Sequence, residues 1–69
     1  MRIILNNREE TLETSSESLT IAELLVLKNY SFKNLVIKIN GELVRRENRA
    51  IAAFKEGDQV EVIHLISGG

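Results

Sequence analysis

Alternating apolar and polar positions predict a β-hairpin at the start of this 69-residue chain. A β-branched and leucine-rich run over residues 2–6 predicts the first strand, and weaker alternation over residues 9–14 predicts the return strand. Asn6 and Asn7 lie between them, and asparagine tolerates the positive φ of a tight turn. The polar residues 15–18 are expected to form a loop.

The clearest local signal is the start of a helix at Thr20. Thr20 and Glu23 match a capping box, in which the threonine hydroxyl accepts from the Glu23 amide and the glutamate accepts from the Thr20 amide. The apolar residues that follow at helical spacing are Ile21, Leu24 and Leu25. This pattern predicts a helix of about ten residues that packs through one face.

The second half of the chain predicts three more strands. Residues 35–40 form the first, with Leu35, Ile37 and Ile39 on one face, and a turn at Asn40-Gly41 leads into a short strand at residues 43–44. Residues 59–66 form the last strand, after a turn in which Gly57 can adopt positive φ.

Residues 47–55 give an ambiguous signal. Ile51 and Phe54 are three positions apart, which favours a helical turn under a loop. The order of elements is then two strands, a helix, a strand, a short strand, a loop and a strand. We therefore predict a single α+β domain over residues 1–69, with one main helix packed on one face of a mixed sheet of four to five strands.

The composition of the chain argues against several classes of function. Nine basic and ten acidic residues give a net charge of −1, which argues against a nucleic-acid binder. Arg45, Arg46 and Arg49 form the only basic cluster in the sequence, interrupted by Glu47, and it is interpreted as a solvated loop, with a phosphate site as the alternative. The chain has no cysteine for a disulfide or a cysteine-ligated zinc site. Without a secretion signal or an apolar run long enough to span a bilayer, we expect a cytoplasmic protein with no membrane partner.

Candidate catalytic residues are few. His64 is the one histidine, it lies in the last predicted strand, and no cysteine, second histidine or carboxylate cluster accompanies it at metal-ligand spacing. Ser67 has no evident base. We therefore expect neither catalysis nor a bound metal or cofactor from this chain alone.

The last strand is apolar on both faces. Val60 and Val62 lie on one face, and Ile63 and Leu65 lie on the other. If the first pair packs against the helix, Ile63 and Leu65 form an exposed patch that docks a partner. The alternatives are a strand that is buried on both sides and the ordinary exposed surface of a small domain.

The sequence ends in Gly68-Gly69, directly after this strand. Glycines lack a Cβ, so residues 67–69 are expected to form a thin, flexible tail that can enter a narrow channel. The terminal carboxyl group is ionised at neutral pH and can act as a nucleophile. The alternative is an ordinary frayed terminus.

Several stretches, spread over essentially the whole chain, resemble ThiS, the sulfur carrier family of thiamin biosynthesis. The stretches are residues 20–25 (TIAELL), 37–42 (IKINGE), 44–46 (VRR) and 56–62 (EGDQVEV), together with the terminal Gly-Gly. The chain departs from the family pattern at Arg45, where proline is common, and at Ser67, where alanine or glycine is commoner.

The resemblance implies the ubiquitin-like β-grasp fold and a role as a protein co-substrate. It implies that an ATP-using adenylyltransferase of the ThiF type adenylates the Gly69 carboxylate, with Gly68 giving access. A sulfur-delivery enzyme then supplies cysteine-derived sulfur for a thiocarboxylate, which a ThiG-type thiazole synthase consumes. ATP is the partner's substrate, and the carrier itself binds no cofactor.

Three other functions remain open. The small subunit of molybdopterin synthase (MoaD-like) has the same fold and tail, but those chains tend to be longer and to have proline near the terminal glycines, whereas this chain has no proline. A ubiquitin-like protein modifier would form isopeptide conjugates. A β-grasp binding module would keep its activity without Gly69.

Overall fold

The computed structural model describes residues 1–31 and 33–65, and the predicted tail, residues 67–69, lies outside this range. The elements, in chain order, are β1 (Arg2–Leu5), β2 (Arg8–Thr11), β3 (Ser18–Thr20), α1 (Ile21–Leu27), β4 (Leu35–Ile39), β5 (Glu42–Val44), β6 (Ala53–Lys55) and β7 (Gln59–His64). A short 3₁₀ turn at Arg46–Asn48 follows β5.

Five of the strands form one sheet in the order β2-β1-β7-β4-β5. All neighbours in this sheet are antiparallel except β1 and β7, which run parallel, with Ile4 opposite Gln59 and Leu5 opposite Val60. Parallel strands need a long crossover, and here the chain between them includes α1. This is the β-grasp arrangement, which confirms the predicted mixed α+β fold.

Two tight turns set the register of the hairpins. Asn6 and Asn7 have φ values of 52° and 67°, and Asn40 and Gly41 have values of 51° and 85°. Positive φ at both central residues is the requirement of a type I′ turn, whose twist matches that of paired strands. Both predicted turns are confirmed. The return strand is shorter than predicted, because pairing with β1 ends at Thr11.

Helix α1 has the predicted capping box. The Glu23 amide donates to Thr20 Oγ1 at 3.2 Å, and the Thr20 amide donates to Glu23 Oε1 at 2.9 Å. The helix ends earlier than predicted, after seven residues. The reason is Asn29, whose φ of 57° is left-handed and stops the helix. The Tyr30 amide then donates to the Leu25 carbonyl at 2.8 Å, which completes a Schellman motif.

The predicted helical turn containing Ile51 and Phe54 is wrong. Phe54 lies in β6 and is opposite Leu19 in β3, where the two strands form a separate antiparallel pair. Phe54 is 1% exposed, whereas Ile51 is 75% exposed. The predicted loop at residues 15–18 also ends early, since Ser18 begins β3. Strands of three residues are too short to show a period, so pairing between distant segments determines them.

The core lies between α1 and one face of the five-stranded sheet. Its buried members among the described residues are Ile3, Leu5, Leu12, Leu19, Ile21, Leu24, Ile37, Phe54, Val60 and Val62. Leu35 and Ile39 pack against this core, as their spacing with Ile37 predicted. In the part of the chain that the structure describes, no helix has the length and hydropathy to cross a membrane.

Candidate docking surface beside the C-terminal tail

Strand β7 leads toward the predicted tail and is held on both sides. On the β1 side, the Val62 amide donates to Asn6 Oδ1 at 2.8 Å, and Asn6 Nδ2 donates to the Val62 carbonyl at 3.2 Å. On the β4 side, the Leu65 amide donates to the Asn34 carbonyl at 2.8 Å. The chain is therefore fixed up to Leu65. The predicted reacting residue Gly69 and access residue Gly68 lie outside the described residues.

The two faces of β7 differ as their sequence parity predicted. Val60 is fully buried and Val62 is 8% exposed, whereas Ile63 is 44% exposed and Leu65 is 52% exposed. The alternative of a strand buried on both sides is therefore wrong. The docking role of Ile63 and Leu65 stays a prediction, but both side chains are accessible. His64 is also exposed.

Ile63 has apolar neighbours on the uncovered face of the sheet. Val36 in β4 is directly opposite Ile63, and Lys38 pairs both with Glu61 in β7 and with Leu43 in β5. Residues that are directly opposite each other project from the same face. We name Val36, Leu43 and Ile63 the outer face patch. Sequence reasoning missed Val36 and Leu43, although Val36 is out of phase with the core residues of its own strand.

A groove opens where β5 leaves β4. β5 pairs with residues Ile37 to Ile39 of β4 and not with the start of that strand. There, two arginine side chains bind the carbonyl groups of the strand edge. Arg46 Nη2 donates to the Lys33 carbonyl at 2.8 Å, and Arg49 Nη2 donates to the Leu35 carbonyl at 3.3 Å. The guanidinium groups thus satisfy acceptors that a longer β5 would have paired.

This groove has a volume of about 730 Å³ and combines apolar and charged walls. Its apolar lining comprises Leu35, Val36, Leu43, Val44 and Leu65. Its charged lining comprises Lys33, Arg45, Arg46, Glu47 and Arg49. We name it the basic groove, because four cations face one anion there. It adjoins the outer face patch through the two residues that they share.

The arginine cluster differs from the solvated loop that the sequence predicted. Arg45 and Arg46 are exposed, but Arg49 is half-buried. Its Nε atom is buried without a hydrogen-bond partner among the described residues. Because Arg49 is half-buried and its Nη2 atom donates to the Leu35 carbonyl, it is a structural part of the groove wall and not a free surface charge. Sequence spacing gave no signal of this, because the acceptors lie on β4 and just before it.

Across residues 1–31 and 33–65, no group of three or more histidine, cysteine, aspartate or glutamate side chains could hold a metal ion. Among the described residues, the pKa of Lys28 is raised, chiefly because its ammonium group donates to Glu10 at 2.9 Å. Glu10 is on β2, at the sheet edge opposite the basic groove.

Comparison with known proteins decides the family. The ThiS family model matches residues 2–69. The chain belongs to the ThiS family. Two solved structures are similar to this ThiS-family chain, both of one thiamine biosynthesis protein of Geobacter metallireducens, and each is 33% identical to it. The crystal structure, of the protein named ThiS, has a TM-score of 0.82 with all of both chains covered. The solution NMR structure has a TM-score of 0.76, with 100% of this chain and 88% of that chain covered.

A search of curated proteins finds no match to this ThiS-family chain. Membership of the family, together with the two structural neighbours, supports a sulfur carrier of thiamin biosynthesis. The departures at Arg45 and Ser67 do not remove the chain from the ThiS family, since the family match includes both positions.

Proposed function

We propose that this protein carries sulfur for thiazole formation in thiamin biosynthesis, on the carboxylate of Gly69. The observation that carries the proposal is the ThiS family match, which extends from residue 2 to residue 69. The described structure supports it with a β7 that is hydrogen-bonded on both sides. Leu65, which directly follows β7, lies beside exposed apolar and cationic side chains.

The proposed chemistry has two transfer steps. In the first, a carboxylate oxygen of Gly69 attacks the α-phosphorus of ATP on a ThiF-type enzyme, which forms an acyl adenylate and releases pyrophosphate. In the second, the outer sulfur of a cysteine persulfide on a delivery enzyme attacks the activated carbonyl carbon and displaces AMP, which forms an acyl disulfide. A thiol then attacks the enzyme's cysteine sulfur of that disulfide and leaves bonded to it, which releases the sulfur on Gly69. The product is a thiocarboxylate, which transfers its sulfur to a ThiG-type thiazole synthase. Gly68 has no side chain to obstruct a narrow channel.

In this proposal the protein is a co-substrate that binds no cofactor, and ATP belongs to the activating enzyme. The partners are the adenylyltransferase, the sulfur-delivery enzyme and the thiazole synthase, and we place all of these reactions in the cytoplasm. The four residues after Leu65 span at most about 14 Å when extended. The folded domain must therefore lie against each enzyme that acts on Gly69, and Ile63 and Leu65 are the proposed contacts.

Deletion of Gly69 tests the proposal. The truncated chain is expected to unfold at the same urea concentration as the full chain but to accept no sulfur from the activating enzyme and the delivery enzyme. Sulfur transfer by the truncated chain would contradict a carrier role for Gly69. The pathway is tested separately, by offering the thiocarboxylate form to thiazole synthase and to the large subunit of molybdopterin synthase. Productive transfer only to the second would assign the chain to the molybdopterin pathway.

A further inference from the structure

The basic groove is positively charged, whereas the chain as a whole has a small negative net charge. The chain has a net charge of −1, yet the groove is lined by Lys33, Arg45, Arg46 and Arg49 against the single carboxylate of Glu47. Apolar side chains lie between these charges. A surface of this composition fits an extended segment that has both carboxylates and an apolar side chain.

The groove is preformed, because two of its cations are fixed by main-chain contacts. Arg46 and Arg49 donate to the carbonyl groups of Lys33 and Leu35, as described above. Arg45 differs from both. It is exposed, and no hydrogen bond or ion pair joins its side chain to another residue within 1–31 and 33–65. Its charge is therefore available to a partner at little cost in rearrangement.

We propose that the basic groove docks an acidic segment of the activating enzyme, with an apolar side chain of that segment seated among Val36, Leu43 and Leu65. This inference rests on the proposed function, which supplies the enzyme. The groove adjoins both Leu65, where the described chain ends, and the outer face patch. The four residues after Leu65 can place the terminal carboxylate at most about 14 Å from Leu65. A segment bound in the groove is therefore close to the site where the carboxylate reacts.

The activating enzyme fits the groove better than the thiazole synthase does. The synthase receives a tail that already has a sulfur atom by which it can be recognised. The activating enzyme receives an ordinary carboxylate and must recognise the folded surface of the carrier. Arginine clusters also steer acidic partners from a distance, which speeds association.

Charge reversal tests the proposal. Arg45→Glu is compared with Arg8→Glu, a matched control that makes the same change in charge on exposed β2, at the opposite edge of the sheet. The association rate of full-length carrier with the activating enzyme is measured without ATP. Arg45→Glu is expected to slow association about tenfold, because a rim charge acts mainly on the on-rate. Arg8→Glu is expected to remain within about twofold of wild type.

The salt dependence of the association rate and a second variant test whether the effect is electrostatic and belongs to the groove. The effect of Arg45→Glu is expected at about 0.1 M salt and to be largely lost at about 1 M, where the Debye length falls from about 10 Å to about 3 Å. Lys33→Glu is expected to reproduce it, since Lys33 is also exposed and also lines the groove. Equal rates for Arg45→Glu, Lys33→Glu and Arg8→Glu would overturn the proposal.

The outcomes separate this inference from the proposed function. If wild type acquires sulfur while reversal at Arg45 and Lys33 leaves association unchanged, the groove proposal fails and the carrier function stands. If the groove variants bind slowly but the bound wild type never acquires sulfur, the docking site stands and the carrier function fails. Self-association of free wild type that Arg45→Glu abolishes would assign the groove to a second copy and overturn the proposal.

Discussion

The side chain of Asn6 pairs with the main chain of Val62 as another residue of β1 would. Its Oδ1 accepts from the Val62 amide at 2.8 Å and its Nδ2 donates to the Val62 carbonyl at 3.2 Å. The main chain turns away at this point, because Asn6 has a φ of 52°. The carboxamide therefore extends the parallel β1–β7 pairing by one step toward the tail. One asparagine both makes the first turn and holds the strand that leads to the proposed reacting group.

Removal of this carboxamide is expected to destabilise the fold. Asn6→Gly keeps the positive φ but loses both hydrogen bonds, so we expect a loss of about 1–2 kcal/mol in the free energy of unfolding. Asn7→Gly is the matched control, because Asn7 also has positive φ but its side chain makes no hydrogen bond to Val62. Urea denaturation measures both variants. Equal stabilities would show that Asn6 contributes only its turn conformation.

Phe54 and Ile51 test the part of the fold that sequence spacing misassigned. Phe54 is 1% exposed and Ile51 is 75% exposed. Phe54→Ala is expected to cost about 3–5 kcal/mol through the cavity it leaves, and the milder Phe54→Leu provides a folded variant if the first does not fold. Ile51→Ala is expected to change stability by less than about 0.5 kcal/mol. Comparable losses at the two positions would contradict the β3–β6 pairing.

Leu65→Glu tests the predicted docking residues. Leu65 is 52% exposed, so we expect the free energy of unfolding to change by less than about 0.5 kcal/mol. We expect binding to the activating enzyme to weaken at least about tenfold, since a carboxylate replaces an apolar contact. Val26→Glu is the control, because Val26 is 81% exposed on α1, which packs on the other face of the sheet. Calorimetric titration of each variant with the activating enzyme measures the two affinities. Equal affinities of Leu65→Glu and Val26→Glu would show that Leu65 is not part of the interface.

The Lys28–Glu10 pair predicts a dependence of stability on pH. The hydrogen bond to Glu10 raises the pKa of Lys28, so folding favours the charged lysine. The resulting stabilisation is fully present below the ordinary lysine pKa of about 10.4 and is lost as pH rises through the higher folded-state pKa. Both side chains are partly exposed, so its size is about 0.5 kcal/mol.

Lys28→Gln measures this contribution. Its stability deficit relative to wild type is expected near pH 8 and is expected to shrink once the pH exceeds the folded-state pKa of Lys28. Urea midpoints of both proteins at several pH values give the difference, in which the titration of the other lysines cancels. A deficit that stays constant at high pH would contradict an electrostatic origin.

Features encoded by adjacent residues could be predicted from the sequence. The capping box of Thr20 and Glu23 and the two type I′ turns each depend on a few neighbouring side chains, and all are in place. The alternation of β7 also gave the correct faces for Val60, Val62 and Ile63, because successive side chains of a strand point to opposite faces.

Features made by distant segments could not be predicted. The β3–β6 pair joins Leu19 to Phe54, and neither three-residue strand has a period of its own. The basic groove depends on Arg46 and Arg49 reaching carbonyl groups more than ten positions earlier in the chain. An arginine in a loop has the same local sequence whether its guanidinium group is solvated or bound, so only the fold distinguishes the two.

The most direct test of the carrier function is the intact mass of the protein after incubation with ATP, a sulfur source and the activating enzyme, followed by fragmentation. We expect that one oxygen is replaced by sulfur and that the fragments locate the change at Gly69, while the chain without Gly69 stays unmodified. An unmodified Gly69, with an activating enzyme that adds sulfur to another carrier in the same experiment, would show that Gly69 does not carry sulfur.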